Sequence, residues 1–98
     1  MPIITLKLKV SDEGSDHWQV YLQEMKPENI VHDWHDEDPL FIKELVNYDT
    51  GKNALTIFVK CSGPGCTVYC DVYINHQIKG SIEAHDDDRR AASRTFKL

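Results

Sequence analysis

The stretch of sequence that decides the fold runs from Leu55 to Ile74 and reads LTIFVKCSGPGCTVYCDVYI. Apolar and polar residues alternate on both sides of a Ser-Gly-Pro-Gly loop, which is the period of half-buried β-strands. We therefore predict an antiparallel hairpin in which Cys61 faces Cys66 and Val59 faces Val68. Every pair on one face is apolar in this register, and a shift by one residue would break the pattern.

The flanking segments extend this pattern. Residues 4–10 and 17–23 alternate in the same way around a polar turn, which predicts a second hairpin. Residues 94–98 are predicted to be the last strand, with Phe96 and Leu98 facing inward. The run from 40 to 48 allows two interpretations. It could be a strand that pairs with 54–61 across a glycine turn, or part of a helix in which Asp38 is the N-cap and Pro39 the first residue.

The overall pattern favours a mainly-β single domain covering residues 1–98, an antiparallel β-sandwich of immunoglobulin-like outline. The alternative is an α+β fold that resembles a β-grasp arrangement, with a helix over 39–47. With 98 residues, 41% of them hydrophobic, the chain has the size and composition of one folded domain.

The charge and the motifs of the chain argue against several classes of function. The net charge of −5 disfavours nucleic acid as a partner, because phosphate binding needs clustered Lys and Arg. No apolar run is long enough for a membrane helix, and the N-terminus lacks the pattern of a signal peptide. We expect no membrane partner and a cytoplasmic protein, or a secreted one if a leader has been removed. No catalytic motif is recognisable, so we expect a protein without enzyme activity or cofactor.

The three cysteines allow more than one chemistry. Cys61 and Cys66 would face each other closely enough for a disulfide in an oxidising compartment, and would remain thiols in a reducing one. Cys70 is predicted to lie in the core. A zinc site that combines the three cysteines with His76 is a weaker alternative, because the spacing is not that of a zinc knuckle.

The leading functional hypothesis is a protein-binding module. Phe58, Tyr69 and Tyr73 would lie on the outer face of the predicted hairpin, which is more aromatic than a solvent face requires. A second layer of the protein could instead cover that face. An unpaired edge strand would also allow a homo-oligomer.

The segment between Lys26 and Pro39 suggests two alternatives. It is predicted to be a loop with a short helical turn over 28–34. Its carboxylates fit a small acidic inhibitor or immunity-type protein that binds a basic partner, through Asp33, Asp36, Glu37 and Asp38. The i, i+3 spacing of His32 and His35 on a helical turn would instead allow a divalent metal site.

A second acidic run follows at 86–88. Carboxylate oxygens are ligands for calcium, but the run lacks the spacing of a calcium loop and is followed by Arg89 and Arg90. A solvated, charged loop over 84–90 is therefore the prediction there.

Overall fold

The computed structural model describes residues 2–15, 17–85 and 91–98. The acidic run at 86–88 and the two arginines after it lie outside the described residues. Ala84 and His85, which the sequence placed in a charged loop, instead end a strand. The strands are β1 Ile3–Glu13, β2 His17–Leu22, β3 His35–Glu37, β4 Leu40–Asp49, β5 Ala54–Ser62, β6 Thr67–Ile74, β7 Gln77–His85 and β8 Ala91–Lys97.

The strands form two antiparallel sheets that pack as a sandwich, which confirms the predicted fold class. One sheet has five strands in the order β3-β4-β1-β6-β7, and the other has three in the order β2-β5-β8. Between β2 and β3 the chain makes one 3-10 turn, Pro27–Asn29. Within the described residues, no helix is long and apolar enough to cross a lipid bilayer.

The ambiguous segment is a strand, so the β-grasp alternative with a helix over 39–47 is wrong. β4 pairs with β1, and Phe41, Lys43 and Leu45 lie opposite Val10, Leu8 and Leu6. Those three β1 residues are fully buried. The apolar residues of β4 that fit a helical stripe also fit a strand, because the period of a short apolar run is ambiguous.

The prediction that the strands over 55–74 pair as a hairpin is wrong, but the prediction of which face of each strand is buried is confirmed. β5 belongs to the three-stranded sheet and β6 to the five-stranded one, so the loop between them crosses from one sheet to the other. Val59 and Val68 are both fully buried, but from facing sheets. Alternation shows which side of a strand is buried, and it does not show which strand lies next to it.

Two other predicted pairings are also wrong. β1 and β2 lie in different sheets, and β4 pairs with β1 and β3 instead of β5. The immunoglobulin-like outline is not confirmed: in an immunoglobulin domain the first two strands pair within one sheet.

The core lies between the two sheets. β1, β5 and β6 contribute most of it, and each presents every second residue inward. Cys70 is fully buried as predicted, and Phe96 is 7% exposed, whereas Leu98 is 40% exposed and does not face inward. The fully buried large side chains include Leu6, Leu8, Val10, Val20, Leu55, Ile57, Val59, Val68 and Val72. Burial of each contributes about 1.5–3 kcal/mol before the entropy cost of folding.

Candidate functional site

The open side of the sandwich between β2 and β4 is covered by a segment without regular strand structure, residues 28–34, which we call the strap. Its centre lies against the free edge of β2: Ile30 bridges to Tyr21, and the Val31 N–H donates to the Val20 carbonyl at 2.9 Å. The Asn29 amide donates to the Leu22 carbonyl at 2.6 Å. The sequence predicted a helical turn over these residues, but only Pro27–Asn29 forms one turn of 3-10 helix.

Three aromatic rings meet where the strap ends. The Trp18 ring lies 5.0 Å from that of Trp34 at 72°, and 5.3 Å from that of Phe41 at 53°. The Trp34 indole N–H donates to the Val31 carbonyl at 3.1 Å. The three residues come from β2, the strap and β4, and all are partly exposed. Aromatic pairs of this kind stabilise by about 0.5–1.5 kcal/mol beyond area burial, so the cluster holds the strap in place while its three residues stay partly exposed.

Two grooves run on either side of residues 30–33. The first, which we call the tryptophan groove, has a volume of about 310 Å³ and is lined by His17, Trp18, Gln19, Ile30, Val31, His32, Asp33 and Trp34. The second, the lysine groove, has a volume of about 340 Å³ and is lined by Leu22, Glu28, Asn29, Ile30, Val31, His32, Asp33, Lys43, Leu45 and Tyr48. Volumes of this size suit a few side chains or a small ligand.

The lysine groove contains a cation at an unusual position. Lys43 occupies a core-facing position of β4, opposite Leu8. Among the described residues its ammonium group has no ion-pair partner within 4.0 Å, although Glu28 and Asp33 line the same groove. Burial in this groove, with Asp49 adding a smaller electrostatic effect, raises the pKa of the Tyr48 hydroxyl.

The negative charge of the protein is concentrated around the strap. Residues 24–38 contain six carboxylates and one basic residue, Lys26. The rest of the chain contains 10 of the 16 acidic residues and 10 of the 11 basic ones, which cancel, so 24–38 accounts for the whole net charge of −5. All six carboxylates are on exposed residues: Glu24, Glu28, Asp33, Asp36, Glu37 and Asp38.

Little of this charge is neutralised within the described residues. Lys26 binds Glu24 at 2.8 Å, and this hydrogen bond and charge lower the pKa of the Glu24 carboxyl and raise that of the Lys26 ammonium. Within the described ranges, the only ion-pair partner of Glu37 is His35, at 3.5 Å. The remaining carboxylates have no cationic partner in the part of the chain that the structure describes. The strap and its flanks therefore present a negative surface next to partly exposed aromatic residues.

The structure does not bring the predicted aromatic patch together. Tyr69 and Tyr73 lie on β6, on the outer face of the five-stranded sheet, whereas Phe58 lies on β5 in the other sheet. Tyr73 lies beneath the Lys9 ammonium, 5.0 Å from its ring centre. Hydrogen bonding to Glu83 raises the pKa of the Tyr69 hydroxyl. The three residues cannot form one binding surface.

The helical geometry behind the metal hypothesis is also absent. The chain from 31 to 34 has no regular structure, and His35 begins β3. His32 and His35 are both exposed, and His35 contacts Glu37. Within the described residues, no group of three or more His, Cys, Asp or Glu side chains is arranged to hold a metal ion.

The candidate disulfide is present, between Cys61 and Cys66, with a Cα–Cα distance of 6.3 Å. The two cysteines are not cross-strand neighbours. They close the loop that crosses between the sheets, so the disulfide connects the two layers. Because the two sulfurs are bonded to each other, they cannot bind zinc, and the zinc site considered from the sequence lacks two of its four ligands. Cys70 is a buried free thiol.

Trp18 and Trp34 were not predicted from the sequence as site residues. Trp18 belongs to the alternating run over 17–23, which predicted only a strand, and Trp34 belongs to the segment that was predicted to be a loop. The available signal was that one of the two tryptophans of the chain lies within its most acidic segment, residues 24–38, and the other lies six residues before it. No protein-family model, no curated protein and no solved structure matches this chain.

Proposed function

We propose that this protein is a non-enzymatic protein-binding module that binds a positively charged polypeptide at the strap. The observation that carries this proposal is that residues 24–38 account for the whole net charge of the chain and contain Trp34, whose ring contacts that of Trp18. Of the predicted binding residues, the acidic set Asp33, Asp36, Glu37 and Asp38 belongs to this surface, and the aromatic set does not.

Two properties of the surface favour a polypeptide ligand. Tryptophan is enriched among the residues that dominate binding energy at protein interfaces, where it is ringed by polar groups. Exposed carboxylates attract Lys and Arg over several ångströms and accelerate association. A ligand that combines basic and apolar side chains would satisfy both parts of the surface.

The test uses the intrinsic fluorescence of Trp18 and Trp34, because both report from the site. A synthetic peptide that alternates Arg and Val is titrated into the protein, and a peptide that alternates Glu and Val serves as the reference. We expect the basic peptide alone to change the tryptophan emission, with an affinity that falls at least about tenfold as salt rises from about 50 to about 500 mM. Failure of the basic peptide to bind would contradict the proposal.

Two charge variants locate the site. Asp33→Asn/Asp36→Asn/Glu37→Gln/Asp38→Asn is expected to weaken binding at least about tenfold, because each lost charge removes part of the attraction. The control, Glu13→Gln/Glu44→Gln/Asp71→Asn/Glu83→Gln, removes the same number of charges from β1, β4, β6 and β7 and is expected to bind as the unmodified protein does. Equal loss in both variants would mean that only the total charge matters.

The acidic inhibitor hypothesis uses the same surface. It differs in that the ligand would be the basic active site of a folded enzyme instead of a peptide. The concentration of charge at the strap supports both forms of the proposal.

We propose that the protein works in an oxidising compartment, which corresponds to the secreted alternative. The Cys61–Cys66 disulfide supports this, because such bonds persist outside the cytosol and are rare within it. Thiol trapping in the native source tests the proposal: the pair should resist alkylation until a reductant is added, whereas free alkylation of both would favour the cytoplasm.

A further inference from the structure

The free edge of β2 has a regular backbone pattern. In an antiparallel strand, the backbone groups of successive residues point alternately toward one neighbour and toward the other. The Val20 carbonyl points away from β5, because it accepts the Val31 N–H of the strap. The N–H and carbonyl groups of Trp18 and Leu22, two residues before and after, therefore point to the same free side.

Only part of this edge is occupied. The Val20 and Leu22 carbonyls accept hydrogen bonds from the strap, at 2.9 and 2.6 Å. At Trp18 no described residue donates to the outward carbonyl or accepts from the outward N–H. Among the described residues, no backbone hydrogen bond joins the strap to β2 beyond Val31. The tryptophan groove lies beside this part of the edge, between residues 17–19 of β2 and residues 30–34.

We propose that the basic polypeptide binds in extended conformation, as an added strand on the free edge of β2 at Trp18. This inference rests on the proposed function and specifies how the ligand is held. The peptide backbone would make two hydrogen bonds, one to the Trp18 N–H and one to the Trp18 carbonyl. These bonds would extend the pairing along the β2 edge that the strap makes at Val20. Addition of a strand to an exposed sheet edge is a common mode of peptide recognition, in which the backbone provides affinity and alternate side chains provide specificity.

An added strand would let one ligand contact both the aromatic part and the acidic part of the surface. Side chains of an extended peptide point alternately to opposite sides. One set would contact the Trp18 and Trp34 rings, and the other would extend toward solvent near Asp33. A peptide that alternates Arg and Val has this periodicity.

The first test changes the peptide backbone and leaves the protein unmodified. Two versions of the Arg-Val peptide carry N-methyl groups on alternate residues, one at every Arg and the other at every Val. N-methylation removes the N–H donors of one edge of an extended chain and keeps the charge. We expect one version to bind at least about tenfold more weakly than the parent peptide and the other to bind similarly, since only one edge faces β2.

The second test observes the protein backbone directly. Saturating Arg-Val peptide is expected to slow hydrogen exchange of the Trp18 amide at least about tenfold. The Gln19 amide, which points toward β5, is the internal control and should not change.

The outcomes separate this inference from the proposed function. If the parent peptide does not bind, the proposed function fails. If the parent binds and both methylated versions bind equally well, with no new protection at Trp18, the basic ligand is real and the added strand is wrong. Loss of binding in both methylated versions would also contradict it, because a single paired edge tolerates one of them.

Discussion

At the scale of single residues, Cys70 shows how position controls chemistry. Its thiol is fully buried in the core, and this burial, with a smaller effect from Asp71, raises its pKa to about 12. Only about one thiol in ten thousand would be ionised at pH 8, and the thiolate is the reactive form. We expect iodoacetamide to leave the native protein unmodified and to label one cysteine in the unfolded, non-reduced protein. Rapid labelling of the native protein would show that Cys70 is accessible.

Gln23 is the residue that connects β2 to the turn before β5. Its side-chain amide donates to the carbonyls of Thr50 and Ala54 at 2.8 and 3.0 Å, and its side-chain oxygen accepts the Thr56 N–H at 3.0 Å. Gln23→Leu would leave these three half-buried backbone groups without partners, so we expect a loss of about 2–3 kcal/mol in the free energy of unfolding. The change is measured by urea denaturation.

Gln19 provides the matched control for Gln23. It lies on β2, which ends just before Gln23, and within the described residues its side chain makes one hydrogen bond, in which its oxygen accepts from the Tyr21 hydroxyl at 2.8 Å. Gln19→Leu should cost less than about 1 kcal/mol. Similar losses in the two variants would mean that the connection through Gln23 contributes nothing specific.

At the scale of elements, the disulfide connects the two sheets where β5 passes into β6. The loop that it closes is short, with a sequence separation of 5, and the loss of chain entropy on closing such a loop corresponds to about 2 kcal/mol. Cys61→Ala/Cys66→Ala, or a reductant added to the unmodified protein, should lower the free energy of unfolding by about that amount. A reductant should have no effect on the double variant, and an effect of equal size there would assign the loss to another cause.

The elements also show what a sequence can and cannot predict. Alternation at 55–61 and 66–74 identified both strands and their buried faces, because those faces must leave water. It could not tell a hairpin from a crossing between sheets, since both bury the same residues. The acidic half of the site was visible as local composition. The aromatic half was not, because Trp18, Trp34 and Phe41 come together only through the tertiary fold.

At the scale of the whole molecule, most pairings join strands that are distant in sequence. Within the described residues, the only strands that are consecutive in the chain and also pair are β3 with β4 and β6 with β7. Such topologies fold slowly, because long loops must close before distant contacts form. We expect the main folding phase, followed by tryptophan fluorescence in stopped flow, to take milliseconds to seconds. A main phase in microseconds would be inconsistent with this topology.

The crossing loop has a consequence for the integrity of the chain. Gly63 and Gly65 adopt positive φ values of 111° and 72° in this loop, and the bonded cysteines stand at its two ends. Exposed loop tips are preferred sites of proteolytic cleavage. A cut between Ser62 and Gly65 would leave the parts before and after the loop joined through sulfur, packed on the same core. The nicked protein would migrate as one species until it was reduced, and only then as two fragments.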